Sequence, residues 1–158
     1  MSLSYDAATI EDADAIMEMI HALAVDEDQV AHLKLNKATL LATAFGEKPE
    51  FQVLLARRDG VPVGFASYMF QFLPWHNGFT LNLDDLYVRP NARSEGIGLA
   101  LMKELSRIAL ARDCALRWTL RPDNDKARRF YERLGAKIRP NMNCVLEAKA
   151  MTTLTGQG

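Results

Sequence analysis

The sequence predicts a single α/β domain, built on a mixed central sheet of six to seven strands with helices on both faces. Three observations carry that expectation. Short β-prone runs bounded by turn residues outnumber the helical segments. Two segments, beginning at Ala13 and at Ile97, repeat apolar residues at helical spacing. Between them Leu81–Leu101, LNLDDLYVRPNARSEGIGLAL, reads as strand, turn and helix start, the connection a mixed sheet needs. The 158 residues, 49% apolar and 25% charged, suffice for one core.

The elements follow in order. Leu3–Ala7 is a short first strand. Thr9-Ile10-Glu11-Asp12 is a capping-box-like helix start, with Asp in place of the usual Glu. Ala13, Ile16, Met17, Ile20, Leu23 and Ala24 mark one face of an amphipathic helix. His21 lies close to that face and is expected partly buried and hydrogen-bonded. Asp26-Glu27-Asp28 closes the helix with three acids, although a helix C-terminus prefers cations. Asn36 or Lys37 to Phe45 is a second short helix, stopped by Gly46. Phe51–Arg57 is a strand, Asp59-Gly60 a hairpin turn and Val61–Phe72 the return strand. Gly64 within it marks a bulge or a close backbone approach. Pro74-Trp75-His76-Asn77-Gly78 leads into the central strand, with Trp75 either a packing anchor or a channel wall. After the helix from Ile97 come a strand at Ala115–Leu120, a helix from Asp123 or Asn124 to Leu134 with Gly135 as its cap, and closing strands at Ala136–Arg139 and Met142–Glu147. The domain spans residues 1–150. Residues 151–158 are expected to fray.

Charge and composition exclude several function classes. A net charge of −1 gives no basic surface for nucleic acid or an acidic membrane. No apolar run is long enough to span a bilayer, and the N-terminus lacks a signal peptide's basic and apolar regions. A cytoplasmic location is therefore expected, with Cys114 and Cys144 as buried, reduced thiols. No His pair has metal-ligand spacing, so no metal is expected.

Gly96 and Gly98, at a helix mouth just after a strand, suit an anion. The free backbone N–H groups and the helix dipole favour negative charge there. A nucleotide P-loop would need Gly-Lys-Ser/Thr, and a dinucleotide fingerprint three glycines plus an acid on the next strand. Neither is present. Arg93-Ser94-Glu95-Gly96-Ile97-Gly98 does match the Arg-x-x-Gly-x-Gly signature of the Gcn5-related N-acetyltransferases (GNAT). Asn124-Asp125-Lys126-Ala127-Arg128-Arg129-Phe130-Tyr131 with Gly135-Ala136 resembles that family's Asn-x(6)-Tyr…Gly-Ala segment. Leu83-Asp84-Asp85-Leu86-Tyr87-Val88, with Phe45-Gly46-Glu47 and Pro74-Trp75, is similar to the spermidine/spermine and thialysine acetyltransferase branch. Ser94 and Glu95 depart from the usual residues. An acid in a phosphate loop requires its side chain to point away while its N–H points in.

The resemblance implies a splayed central strand pair, acetyl-CoA as co-substrate, a small-molecule amine as acceptor and a homodimer. Backbone N–H groups of Ser94, Glu95, Gly96, Ile97, Gly98 and Leu99 would face the pyrophosphate, with Arg93 adding charge and Arg121, Arg128, Arg129 and Arg133 a basic rim. Leu86 and Val88 would bond the pantetheine arm, and the Leu86 N–H would polarise the acetyl carbonyl. Asn124 would bond the pantetheine, cap its helix, or both. Tyr131 would reprotonate the departing thiolate. Asp84 would be the base acting through water, Asp85 a substrate contact, and Glu27 and Trp75 substrate-side residues. Regular strand geometry sends adjacent residues to opposite faces, so bringing both aspartates to one cleft requires a bulge. The resemblance favours polyamines or lysine- and thialysine-like amino acids, although Leu73 stands where the polyamine enzymes carry an acid. A non-catalytic acyl-CoA sensor and a protein-lysine acetyltransferase are the competing classes.

Overall fold

Five strands lie across one sheet in sequence order: β1 (Leu3–Ala7), β2 (Gln52–Arg58), β3 (Val61–Leu73), β4 (Gly78–Val88) and β5 (Ala115–Arg117). The first four are antiparallel neighbours, and β5 joins β4 in parallel after helix α3 (Ile97–Ala111). The sheet is mixed, as the sequence indicates. The computed structural model describes residues 1–156. It divides into two compact units, Met1–Thr119 and the residues from Leu120 on.

In the first unit, α1 (Ala13–Asp26) and α2 (Lys37–Ala44) cover one face of the sheet. Ile16, Met19, Leu40, Leu55 and Phe65 are each 0% exposed there. Each such side chain contributes roughly 1.5–3 kcal/mol relative to leaving it in water. Met19 is one such core residue that the periodicity overlooks; it lies one position before Ile20 on the same stripe. His21, by contrast, turns to solvent rather than being partly buried. On the other face α3 buries Ile97, Leu101, Met102, Leu105 and Ala109, and packs on β2 through β5.

The entry to α1 is fastened to the sheet. Thr9 and Asp12 form the expected capping box, the Asp12 carboxylate accepting the Thr9 N–H at 2.8 Å. The same carboxylate accepts two Arg57 N–H groups, at 2.9 and 2.8 Å, and Arg57 also reaches Asp6. The Arg57 guanidinium holds the Asp12 carboxyl well below the usual carboxylate range, at about 2. Gly64 is a close approach, because a Cβ there would stand 2.8 Å from the Tyr87 carbonyl oxygen.

The second unit carries α4 (Asp125–Arg133) and α5 (Ala148–Leu154). The expected closing strands at Ala136–Arg139 and Met142–Glu147 are absent, so the sheet has five strands among the described residues rather than six or seven. The physical reason lies in Pro140-Asn141. A two-residue hairpin turn needs positive φ at its first central residue, and proline is locked near −65°. Strand propensity without a paired neighbour is insufficient. Met142 and Val145 are consequently exposed, at 94% and 81%. Cys144 is an exposed free thiol and Cys114 a half-buried one, correcting the expectation that both are buried. Residues 148–154 are helical where fraying was expected from 151; the last two residues of that expected tail lie outside the described residues. Among the described residues, no helix is long and apolar enough to cross a membrane.

Candidate active site

The site in the first unit is built on a break in the β3–β4 ladder. Ser67 pairs with Asp85 and Tyr68 with Leu83, so Asp84 has no partner across the sheet. This is the bulge that two cleft-facing aspartates require. Val53, Ser67 and Asp85 are in register across β2, β3 and β4, and Val53 belongs to the cluster under α1 and α2. Asp85 therefore lies on the α1–α2 face, while Asp84 stands exposed at the crest of the bulge. Ser67 bridges the break. Its hydroxyl accepts the Asp85 N–H at 3.1 Å and donates to Asp85 Oδ2 at 3.4 Å.

Asp85 is half-buried among acids. Burial pushes its carboxyl up to about 6 from its ordinary 3.8, and the charges of Asp84 and Glu27 push the same way, against the Ser67 hydrogen bond. Glu27 caps the C-terminus of α1, so the acidic end of that helix stands over the bulge. Trp75 is not brought to this cluster. It sits at the β3–β4 tip, 99% exposed, on a single helical turn. From Gly78 to Asp84 the strand runs roughly 20 Å. The exposure removes the packing-anchor alternative for this ring.

Beside the bulge, β4 loses its other neighbour. Pairing with β5 ends at Asn82–Arg117, yet β4 continues to Val88. β5 itself stops three residues short of its expected end, so the two strands part there. The Asp85 N–H points toward β3, where Ser67 meets it. Backbone groups alternate along a strand, so those of Leu86 and Val88 face the open side. The Val88 carbonyl accepts Arg93 Nε at 2.8 Å. The Leu86 N–H and C=O offer an edge that an amide-containing chain can join.

The glycine loop follows. Ser94 and Gly96 adopt positive φ, 66° and 78°, and Gly96 is the N-cap of α3. A Cβ on Gly96 would meet nothing within 4 Å, so the space above the helix mouth is open. The first helical bond is Ala100 N–H to the Gly96 carbonyl. The N–H groups of Ile97, Gly98 and Leu99 therefore lack intrahelical acceptors, the arrangement that suits a phosphate. Glu95 pairs its carboxylate with Arg58 at the end of β2. Arg93 donates to Asp26 at 2.5 Å and stacks over the Tyr87 ring at 5.6 Å. Its guanidinium thus ties the loop to the end of α1, and supplies the cation that this acidic helix terminus prefers.

In the second unit, Asn124 caps α4, accepting the Ala127 N–H at 3.0 Å. Tyr131 lies on that helix against Phe130, and burial pushes its phenol above the usual 10, so the hydroxyl keeps its proton at neutral pH. Arg128, Arg129 and Arg133 share the same helix. Sequence reasoning missed Ser67 and Arg58. Ser67 carried a usable signal, being the one aliphatic hydroxyl in the buried run from Val63 to Tyr68. Arg58 carried none, since its partner lies 37 residues away.

Comparison with known proteins gives the family and the fold. The model of the acetyltransferase (GNAT) family matches residues 16–136. Thialysine N-epsilon-acetyltransferase from Mus musculus is 32% identical over 159 residues, covering 92% of this chain and 93% of the relative. A spermidine/spermine N(1)-acetyltransferase-like protein from Homo sapiens is 34% identical over 110 residues, covering 65% of this chain and 16% of that one. An integron cassette protein from the mobile metagenome of V. cholerae superimposes with a TM-score of 0.78 at 26% identity, covering 98% of each chain. An aminoglycoside acetyltransferase from an uncultured soil sample shares the fold, with a TM-score of 0.77 at 14% identity and 92% and 95% coverage. Acetyltransferases of this family use acetyl-CoA as co-substrate. The open strand edge, the glycine-capped helix mouth and these relatives converge: the chain belongs to the GNAT family and is an N-acetyltransferase.

Proposed function

We propose that the protein transfers the acetyl group of acetyl-CoA to a primary amine of a small cationic molecule, with a lysine- or thialysine-like amino acid as the leading acceptor. The observation that carries this reading is the bulge at Asp84, where Asp84 and Glu27 lie close enough to Asp85 for their charges to act on its carboxyl. Among the described residues no lysine or arginine pairs with Asp85, and three carboxylates there attract an ammonium group. An alkyl ammonium has a pKa of about 10, so it arrives protonated at pH 7 and must lose a proton before attack. A carboxylate near 6 is a far better base than one at 3.8. The two roles that the family resemblance implies are therefore exchanged: Asp85 is assigned the proton, directly or through a water, and the exposed Asp84 the first contact with the cation.

The coenzyme is held by this chain's own backbone. The N–H groups of Ile97, Gly98 and Leu99 bind its diphosphate, and Leu86 hydrogen-bonds the pantetheine and the acetyl oxygen. Acetyl-CoA supplies the activated acyl group. Nitrogen–carbon bond formation is balanced by carbon–sulfur cleavage; the thiolate takes a proton from Tyr131, and the second proton shed by the acetylated nitrogen restores the phenol. That role is supported by a phenol held neutral and by its place in the Asn124–Tyr131 motif. A lysine-like acceptor is favoured over a polyamine by the thialysine relatives and by Leu73, which puts no charge beside the hairpin tip. We also propose a homodimer, because the fully exposed Trp75 reaches a substrate only where a second subunit meets it.

An amine panel with acetyl-CoA, read by free thiol release, tests the reading. Turnover is expected with thialysine and lysine, and weaker turnover with spermidine. Absence of thiol release with every amine, despite coenzyme binding, would replace the enzyme by an acyl-CoA sensor.

A further inference from the structure

We propose that Ser67 is a positioning residue for proton transfer, its single hydroxyl holding both the backbone and the carboxylate of Asp85. The inference rests on the assignment of Asp85 as the proton acceptor. Ser67 is 4% exposed, in a strand segment otherwise made of apolar side chains and Gly64. A hydroxyl in such a place is costly unless both its donor and acceptor capacity are used. Both are used here, and both on the same residue.

The bulge explains why. Skipping Asp84 removes the regular ladder at the point where Asp85 must be fixed. The Ser67 oxygen replaces the missing backbone acceptor at 3.1 Å, which fixes the strand's path. Its O–H then reaches Oδ2 of the same residue at 3.4 Å, which aims the carboxylate. The groups facing Asp85 are Asp84 on its own strand, Glu27 from the end of α1, and Ser67 on β3. The two acids favour the protonated form, and Ser67 is the donor that favours the ionised one. Removing the hydroxyl leaves the acids unopposed.

The test is the pH dependence of kcat/KM for Ser67→Ala, Ser67→Thr and Asp85→Asn, in the full chain, with thermal melts confirming folding. Ser67→Ala is expected to move the acid limb upward by about 0.5–1 pH unit and to lower kcat several-fold, leaving KM for acetyl-CoA unchanged. Ser67→Thr, which keeps the hydroxyl, is expected to restore the wild-type limb. Should Ser67→Ala not fold, titration of carboxyl-labelled Ser67→Cys, with its weaker donor, gives the same upward shift at Asp85. A Ser67→Ala profile superimposed on wild type, with Asp85→Asn inactive, overturns the role of Ser67 alone. Full activity in Asp85→Asn overturns the base assignment, and this inference with it.

Discussion

Two carboxylates in the first unit, Asp12 and Asp85, are both withdrawn from water, yet their environments push them in opposite directions. Asp12 meets the Arg57 guanidinium through two hydrogen bonds and is held at about 2. Asp85 meets two further acids and one serine hydroxyl, and is raised to about 6. Asp12 fastens the start of α1 to β2. Asp85 is left able to exchange a proton. The contrast teaches that burial alone does not assign a role to an acid; the partner does.

The largest expected effect falls on catalysis. Asp85→Asn should lower kcat by about 10²–10⁴-fold, the usual worth of a positioned base, when thiol release is followed at pH 7. Asp84→Asn should act mainly on KM for the amine. Were the two effects exchanged, the base would be Asp84 acting through water, and the comparison would have to be redrawn around the crest of the bulge.

Next in size is stability. Asp12→Asn should cost about 3–5 kcal/mol in urea unfolding, because it leaves the Arg57 charge without its main partner. Turnover per folded molecule should not change. A cost below about 1 kcal/mol would mean that Asp6 alone satisfies the guanidinium.

The two acids should also leave opposite marks on stability as pH changes. The Asp12 carboxyl lies below its unfolded value, so its contribution is full above 3.8 and is lost as pH falls through about 2. The Asp85 carboxyl lies above its unfolded value, so the fold gains stability as pH falls from about 6 toward 3.8. Asp85→Asn should therefore stabilise the protein at pH 8 by about 1–2 kcal/mol, while Asp12→Asn destabilises it at the same pH. Denaturant midpoints for both variants at pH 8 and pH 5 give the comparison directly. Loss of stability in Asp85→Asn at pH 8 would show that its carboxylate serves the fold.

The smallest effect concerns Glu95, a partnered acid placed inside the functional loop. Arg58→Met should raise KM for acetyl-CoA by roughly fivefold, about 1 kcal/mol, by leaving a carboxylate uncompensated in the loop proposed to hold the phosphates. The double variant with Glu95→Gln should recover most of that loss. Equal KM values across the set would show that the ion pair serves only the loop's own fold.

Much of this was legible in the linear chain. Thr9–Asp12 announced a helix start, Ala13–Ala24 and Ile97–Ile108 their apolar stripes, and Asp59-Gly60 a hairpin, because local chemistry dictates each. Gly96 and its neighbours announced a glycine-capped helix mouth for the same reason. His21, the two closing strands and the burial of Cys144 were misjudged, since each depended on neighbours that short-range pattern does not specify.

What the sequence by itself determined is therefore the set of local elements, the glycine-capped helix mouth, and the presence of two adjacent aspartates on a strand. Only the tertiary structure decided that a register shift strands Asp84 and turns Asp85 toward Glu27, and that Ser67 receives it. It likewise decided that Glu95 answers to Arg58 and Arg93 to Asp26. Periodicity fixes which way a regular strand faces, but a bulge and an ion pair are agreements between distant segments. Their free energy exists only once the sheet has brought those segments together.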